Sequence, residues 1–183
     1  FITFQSDREG DRGLFRQRAD VSGTSAERLT KAEPGVVHQP RSWSADGKTL
    51  AFNVQGLQSF AGAIWAVSLD GDRKPRPLIQ SSATDALGPA FSPDGRWLAY
   101  HENERTRTST FHTFVQPFPP TGAKYQVSTD ANSLDPLWSP DGTQLFFNTG
   151  YNAPGPQHLF SVGVSTTPNF TVGKPALMPI DGI

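Results

Sequence analysis

The sequence predicts an all-β fold of β-propeller repeats, about 3.75 four-stranded antiparallel blades that form a segment of a larger propeller. Three observations predict it. The decapeptide FSPDGRWLAY at 91–100 recurs as WSADGKTLAF at 43–52 and WSPDGTQLFF at 138–147. The closing aromatics Phe52, Tyr100 and Phe147 are 48 and 47 residues apart, and a step of 48 back from Phe52 reaches Phe4. A fixed period in this range is the signature of a repeat architecture. No stretch carries a helical period, whereas short aromatic-rich or alternating runs are bounded by turn residues every 8–12 positions.

Each repeat has the same internal order. The first strand ends on an aromatic, Trp43, Phe91 or Trp138. A Ser-Pro-Asp-Gly turn follows, with Ala45 in place of Pro in one copy. Ser at the first position, Pro with preset φ at the second and Gly at the fourth suit a type I turn closed by a bulge. The second strand holds Leu50-Ala51-Phe52, Leu98-Ala99-Tyr100 or Leu145-Phe146-Phe147. A polar loop leads to a third strand at 14–19, 64–69, 113–118 and 159–164. A short fourth strand lies near Leu29, Leu78-Ile79, Gln126-Val127 and Ala176-Met178. The blades so defined are an incomplete first at 1–32, then 36–82, 84–130 and 133–180. A β-sandwich with accidental repeats is the alternative, and the in-register recurrence of turn and flanking strands disfavours it.

Composition narrows the function. The net charge of −1 argues against a nucleic-acid partner, whose phosphates favour a basic surface. With no cysteine there is no disulfide, thiolate metal site or Cys nucleophile. No apolar run reaches the roughly 18 residues of a membrane span, so no membrane insertion is expected in this segment.

The repeats resemble those of TolB-type propellers, related to WD-type repeats. The wider block from IWAVSLDGDRKPRPL at 64–78 through FVQPFPPTGAKYQVSTDANSLDPLWSPDG at 114–142 is similar to the propeller attached to bacterial serine/threonine kinases of the eukaryotic type. That resemblance implies a non-catalytic interaction or sensing module, in a periplasmic or extracytoplasmic setting, with a protein or peptide partner. A small-molecule ligand is a further expectation. Kinase elements themselves are absent from the sequence: no Gly-rich loop, His-Arg-Asp or Asp-Phe-Gly.

Loops joining the last strand of one blade to the first of the next, at 33–41, 81–89 and 129–136, bring Glu33, His38, Arg41, Asp85, Asp130 and Asp135 toward one face. His38, Arg41, Asp85, Asp130 and Asp135 are the candidate ligand-binding residues there. The competing reading gives Asp85 and Asp130 to turns and His38 to hydrogen bonds between blades. The polar loop 101–113 is expected on the opposite face. No catalytic residue, metal site or cofactor is assigned: there is no Gly-x-Ser-x-Gly elbow, and the four histidines lie in different repeats without zinc-site spacing. Trp43 and Trp138 are expected in packing roles, and Trp97 partly exposed. The alternative function is a substrate-gating propeller of a prolyl oligopeptidase-like or dipeptidyl-peptidase-like hydrolase whose catalytic domain lies elsewhere. An open stack of blades also predicts a homodimer through its uncovered ends.

Overall fold

In the computed structural model the described residues are 1–20, 23, 25–58, 61–104, 110–129, 132–149 and 157–179. All regular structure among them is β, in four antiparallel sheets that follow one another along the chain. The first sheet has three strands, β1 (Ile2–Ser6), β2 (Gly13–Gln17) and β3 (Glu27–Arg28). The second runs β4 (Val36–Trp43), β5 (Thr49–Gly56), β6 (Gly62–Ser68) and β7 (Arg76–Ile79). The third runs β8 (Thr84–Phe91), β9 (Trp97–Glu104), β10 (Phe111–Pro117) and β11 (Tyr125–Gln126). The fourth has β12 (Ser133–Trp138), β13 (Gln144–Thr149) and β14 (His158–Ser165), with β15 (Thr171–Val172) and β16 (Ala176–Leu177) both on β14. These sheets are propeller blades.

The repeated turn is closed by side chains as well as backbone. Ser92 Oγ accepts from Trp97 N–H at 3.0 Å and donates to Asp94 Oδ1 at 2.6 Å, while Arg96 N–H donates to the same carboxylate oxygen at 3.1 Å. Ser44, Asp46 and Lys48 repeat this geometry, as do Ser139, Asp141 and Thr143. The motif's Asp is therefore committed to its own turn. Gly47, Gly95 and Gly142 take φ of 68°, 71° and 71°, a region that a side chain disfavours.

Packing runs between blades. Leu14 of blade 1 packs with Leu50, Phe52 and Val67 of blade 2. Ala51 meets Phe91 and Leu98, and Ile64 meets Ala86 and Tyr100. The largest cluster joins Ala99 and Val115 of blade 3 to Trp138, Leu145, Phe147 and Val162 of blade 4. Trp138 Nε1 donates to Ala90 O at 3.1 Å, and Trp43 Nε1 to Thr3 Oγ1 at 3.2 Å, so both pre-turn indoles bind the preceding blade. Trp97 is half-buried against Tyr125 and Phe170.

One expectation is corrected. Glu104 pairs with Thr84 and Asn103 with Phe111, which places both ends of the polar loop 101–113 beside the segment that precedes β8. The loop leaves from the same end of the blade as the inter-blade connections, not the opposite one. Strand parity requires it: the Ser-Pro-Asp-Gly turn takes one end, so the next reversal takes the other. Residues 105–109 themselves lie outside the described set.

Candidate functional site

The first strand β8 contacts both β4 and β12, and the three form the inner edge of the stack. Each carries a bulge at the same repeat level, between Pro40 and Ser42, between Leu87 and Ala90, and between Leu134 and Leu137. A bulge re-aims side chains and leaves an amide outside the ladder. Arg41 sits at the first bulge, Gly88 at the second and Asp135 at the third.

Arg41 and Asp135, 94 residues apart, meet here, with Nη1 and Oδ1 at 3.4 Å across blade 3. Gly88 lies beneath this bridge with φ +65°; a Cβ there would stand 2.7 Å from His101 and 3.4 Å from Asp135 Oδ1. Its N–H donates to Asn53 Oδ1 of blade 2 at 3.0 Å. One blade on, the Asp135 N–H donates to His101 Nδ1 at 3.2 Å. Asn53 and His101 are one repeat apart, so the same position receives the bulge amide of the next blade through two different side chains. His101 is buried against Phe111, and burial lowers its pKa to about 4, with Asp135 opposing and Arg41 assisting. It is neutral at pH 7.

The other candidates stand elsewhere. His38 shares a repeat position with Ser133 and Ala86, and Asp85 precedes that position by one residue. His38, Asp85 and Ser133 are all buried and each reaches back to the preceding blade. His38 Nδ1 lies 2.8 Å from Thr30 Oγ1, which accepts from Leu14 N–H at 3.0 Å. Asp85 Oδ1 accepts from Gly62 N–H at 3.1 Å. Ser133 Oγ accepts from Thr113 N–H at 2.9 Å and donates to Ser128 Oγ at 2.6 Å. Burial lowers the pKa of His38 to about 4, with Asp11 opposing and Arg28 assisting. Glu33 is exposed, its backbone carbonyl accepting from Val36 N–H at 3.0 Å. Asp130 lies outside the described residues.

The structure thus brings together Arg41 and Asp135, and puts His38 and Asp85 between blades. Sequence reasoning passed over Gly88, Asn53 and Ser133 as site elements and considered His101 only as a metal ligand. Aligning the repeats on their closing aromatics would have put Asn53 under His101, and Ser133 under Ala86 and His38. Among the described residues no group of three or more His, Cys, Asp or Glu is placed to hold a metal.

No family model matches the chain. An uncharacterized protein of Agrobacterium fabrum (strain C58) is 27% identical over 128 residues, 69% of this chain and 40% of the relative, so the chain spans less than half of the relative's length. TolB from Acinetobacter baumannii superposes with a TM-score of 0.63 at 20% identity, over 97% of this chain and 43% of that one. Oligopeptidase B from Trypanosoma brucei superposes with a TM-score of 0.65 at 12% identity, over 94% of this chain and 24% of that one. The fold class is a β-propeller, and its blades superpose on those of TolB. At these identities the likeness defines fold, and function has to be argued from sites.

Proposed function

We propose that the chain is a non-catalytic propeller module that binds a protein or peptide partner through the inner edge of its blades, with Arg41 and Asp135 as the contact pair. The observation that carries this reading is the long, solvent-facing bridge between them. Their side chains are 37% and 50% exposed, so the pair adds little stability and is free to exchange partners. The strands beneath it are held by buried hydrogen bonds to Asn53 and His101, which gives the charged tips a rigid base. A guanidinium beside a carboxylate suits a peptide that offers both charges.

Within this reading the module senses or scaffolds in an extracytoplasmic compartment, as in the receptor-kinase propellers that the sequence resembles, and a small-molecule ligand would use the same pair. No helix among the described residues is long and apolar enough to cross a membrane. Exposed apolar side chains offer a second contact: Phe1 and Ile2 are 74% and 58% exposed at the blade 1 end of the described stack, and Leu137 is 64% exposed at the blade 4 end. Leu137 occupies the repeat position of Ala90, which Trp138 covers. Homodimerisation through these ends would show in light scattering as twice the 19.9 kDa chain mass.

The test is panning a random-peptide library on the full chain, with counter-selection on Arg41→Gln. Enriched peptides that bind the chain and lose affinity on both Arg41→Gln and Asp135→Asn support the proposal. Enrichment indifferent to both variants overturns it, as does hydrolysis of the peptides. The second reading, a gating propeller for a separate hydrolase domain, draws on the superposition with oligopeptidase B. Its sign would be a Gly-x-Ser-x-Gly elbow in a domain on the same polypeptide or in a stable partner.

A further inference from the structure

A second polar recess lies away from the Arg41–Asp135 pair, at the junction of blades 1 and 2. Its volume is about 520 Å³, within the roughly 300–1,000 Å³ span of small-molecule sites. Four glutamines, Gln5, Gln39, Gln55 and Gln58, line it together with Arg12 and Leu57. Among the described residues no carboxylate lines it. Gln5, Gln55, Gln58 and the Arg12 guanidinium have no side-chain hydrogen-bond or ion-pair partner among the described residues, and Gln39 engages only its Oε1, which accepts from Asn53 Nδ2 at 3.3 Å. The frame is nevertheless fixed. Arg12 bridges Val37, its carbonyl accepts from His38 N–H at 3.1 Å, and Leu57 N–H donates to Gly35 O at 2.9 Å.

The chemistry of this lining is specific. Each carboxamide offers an acceptor oxygen and two donor hydrogens, which matches hydroxyl groups that both give and accept. A lone guanidinium with no competing acid holds one carboxylate, in bidentate geometry. The recess is too polar for a hydrophobic cofactor, and one cation is too few for a polyphosphate. Leu57, 44% exposed, supplies an aliphatic wall for a ring's C–H face.

We infer that this recess binds a polyhydroxylated sugar carrying one carboxylate, of the uronic-acid class, with Arg12 on the carboxylate and the glutamines on the hydroxyls. The site is independent of the peptide-binding reading given above, and either can fail alone. The experiment is an amide chemical-shift titration of the full chain with D-glucuronate, D-glucose, acetate and an acidic hexapeptide in turn. Glucuronate is expected to give saturable shifts at Gln5, Arg12, Gln39 and Gln55–Gln58. Arg12→Gln is expected to weaken it about tenfold, the loss of one charge-assisted pair, and Gln55→Leu to weaken glucuronate and glucose alike. Both side chains are free of structural partners, so the unperturbed spectrum of each variant reports a preserved fold. Absence of saturable shifts at millimolar glucuronate overturns the inference. So does binding unaffected by Arg12→Gln, acetate matching glucuronate, or the peptide shifting these amides while the sugar does not.

Discussion

The backbone N–H of Asp135 donates to Nδ1 of His101 at 3.2 Å, so the inner strand of blade 4 hangs on a histidine that must stay unprotonated at that nitrogen. At the interface of blades 1 and 2, His38 is buried with its Nδ1 2.8 Å from Thr30 Oγ1.

Acid is therefore expected to loosen the stack. Burial lowers both histidines from 6.5 to about 4. Between those values the unfolded chain takes up protons that the folded chain refuses, so stability is full above pH 6.5 and falls as pH drops toward 4, by on the order of 3 kcal/mol per histidine. Carboxylates act lower: Asp46 and Asp141 are held below their usual range by the Ser44 and Ser139 hydroxyls, and their contribution is lost only as pH falls beneath that range. Urea melts from pH 4 to 8 should show the slope, and His101→Gln should flatten about half of it. An unchanged slope in that variant would refute the assignment.

Gly88→Ala is expected to cost about 2–3 kcal/mol, from a positive φ and a Cβ pressed onto the His101 ring. Gly47→Ala has nothing within 4 Å of the new methyl, so only the backbone cost of about 1 kcal/mol applies. Thermal melts of the two variants side by side separate strain from clash.

Ser92→Ala removes, at a buried serine, an acceptor for Trp97 N–H and the donor to Asp94. A loss of about 1–2 kcal/mol is expected. Ser139→Ala makes the same deletion in a more exposed turn and should lose less, since water replaces the missing partner. Equal losses would mean that the turn's strength does not depend on burial.

Asp135→Asn should leave stability within about 0.5 kcal/mol of the parent, because the ion pair is long and half exposed and Asn accepts the residue's φ of 47°. Peptide binding should fall while the melting temperature holds. A large stability loss would assign the pair to folding rather than recognition.

The fold was legible because the period is written in residues with narrow conformational roles. Ser-Pro-Asp-Gly fixes a turn, and the aromatics at Phe52, Tyr100 and Phe147 fix where the second strand returns. The site was less so. His38 and Asp85 look like pocket residues because they are polar and sit near inter-blade loops, yet strand alternation points them between sheets, where they find Thr30 and Gly62. Nothing in the linear sequence announces that Arg41 spans to Asp135, because three bulges set that reach. Gly88 carries no side-chain signal at all: its role is the room it leaves.

Near-identical neighbours create a hazard during folding, since a blade can dock against the wrong copy. The buried inter-blade residues His38, Asp85 and Ser133 answer it with three unlike side chains, each matched to one predecessor. An imidazole that needs the Thr30 hydroxyl, a carboxylate that needs the Gly62 amide and a hydroxyl that needs Ser128 and Thr113 cannot trade places without burying an unpaired group, a penalty of roughly 1–3 kcal/mol per error. The repeats share a shape, and these three residues give each blade its own place in the order.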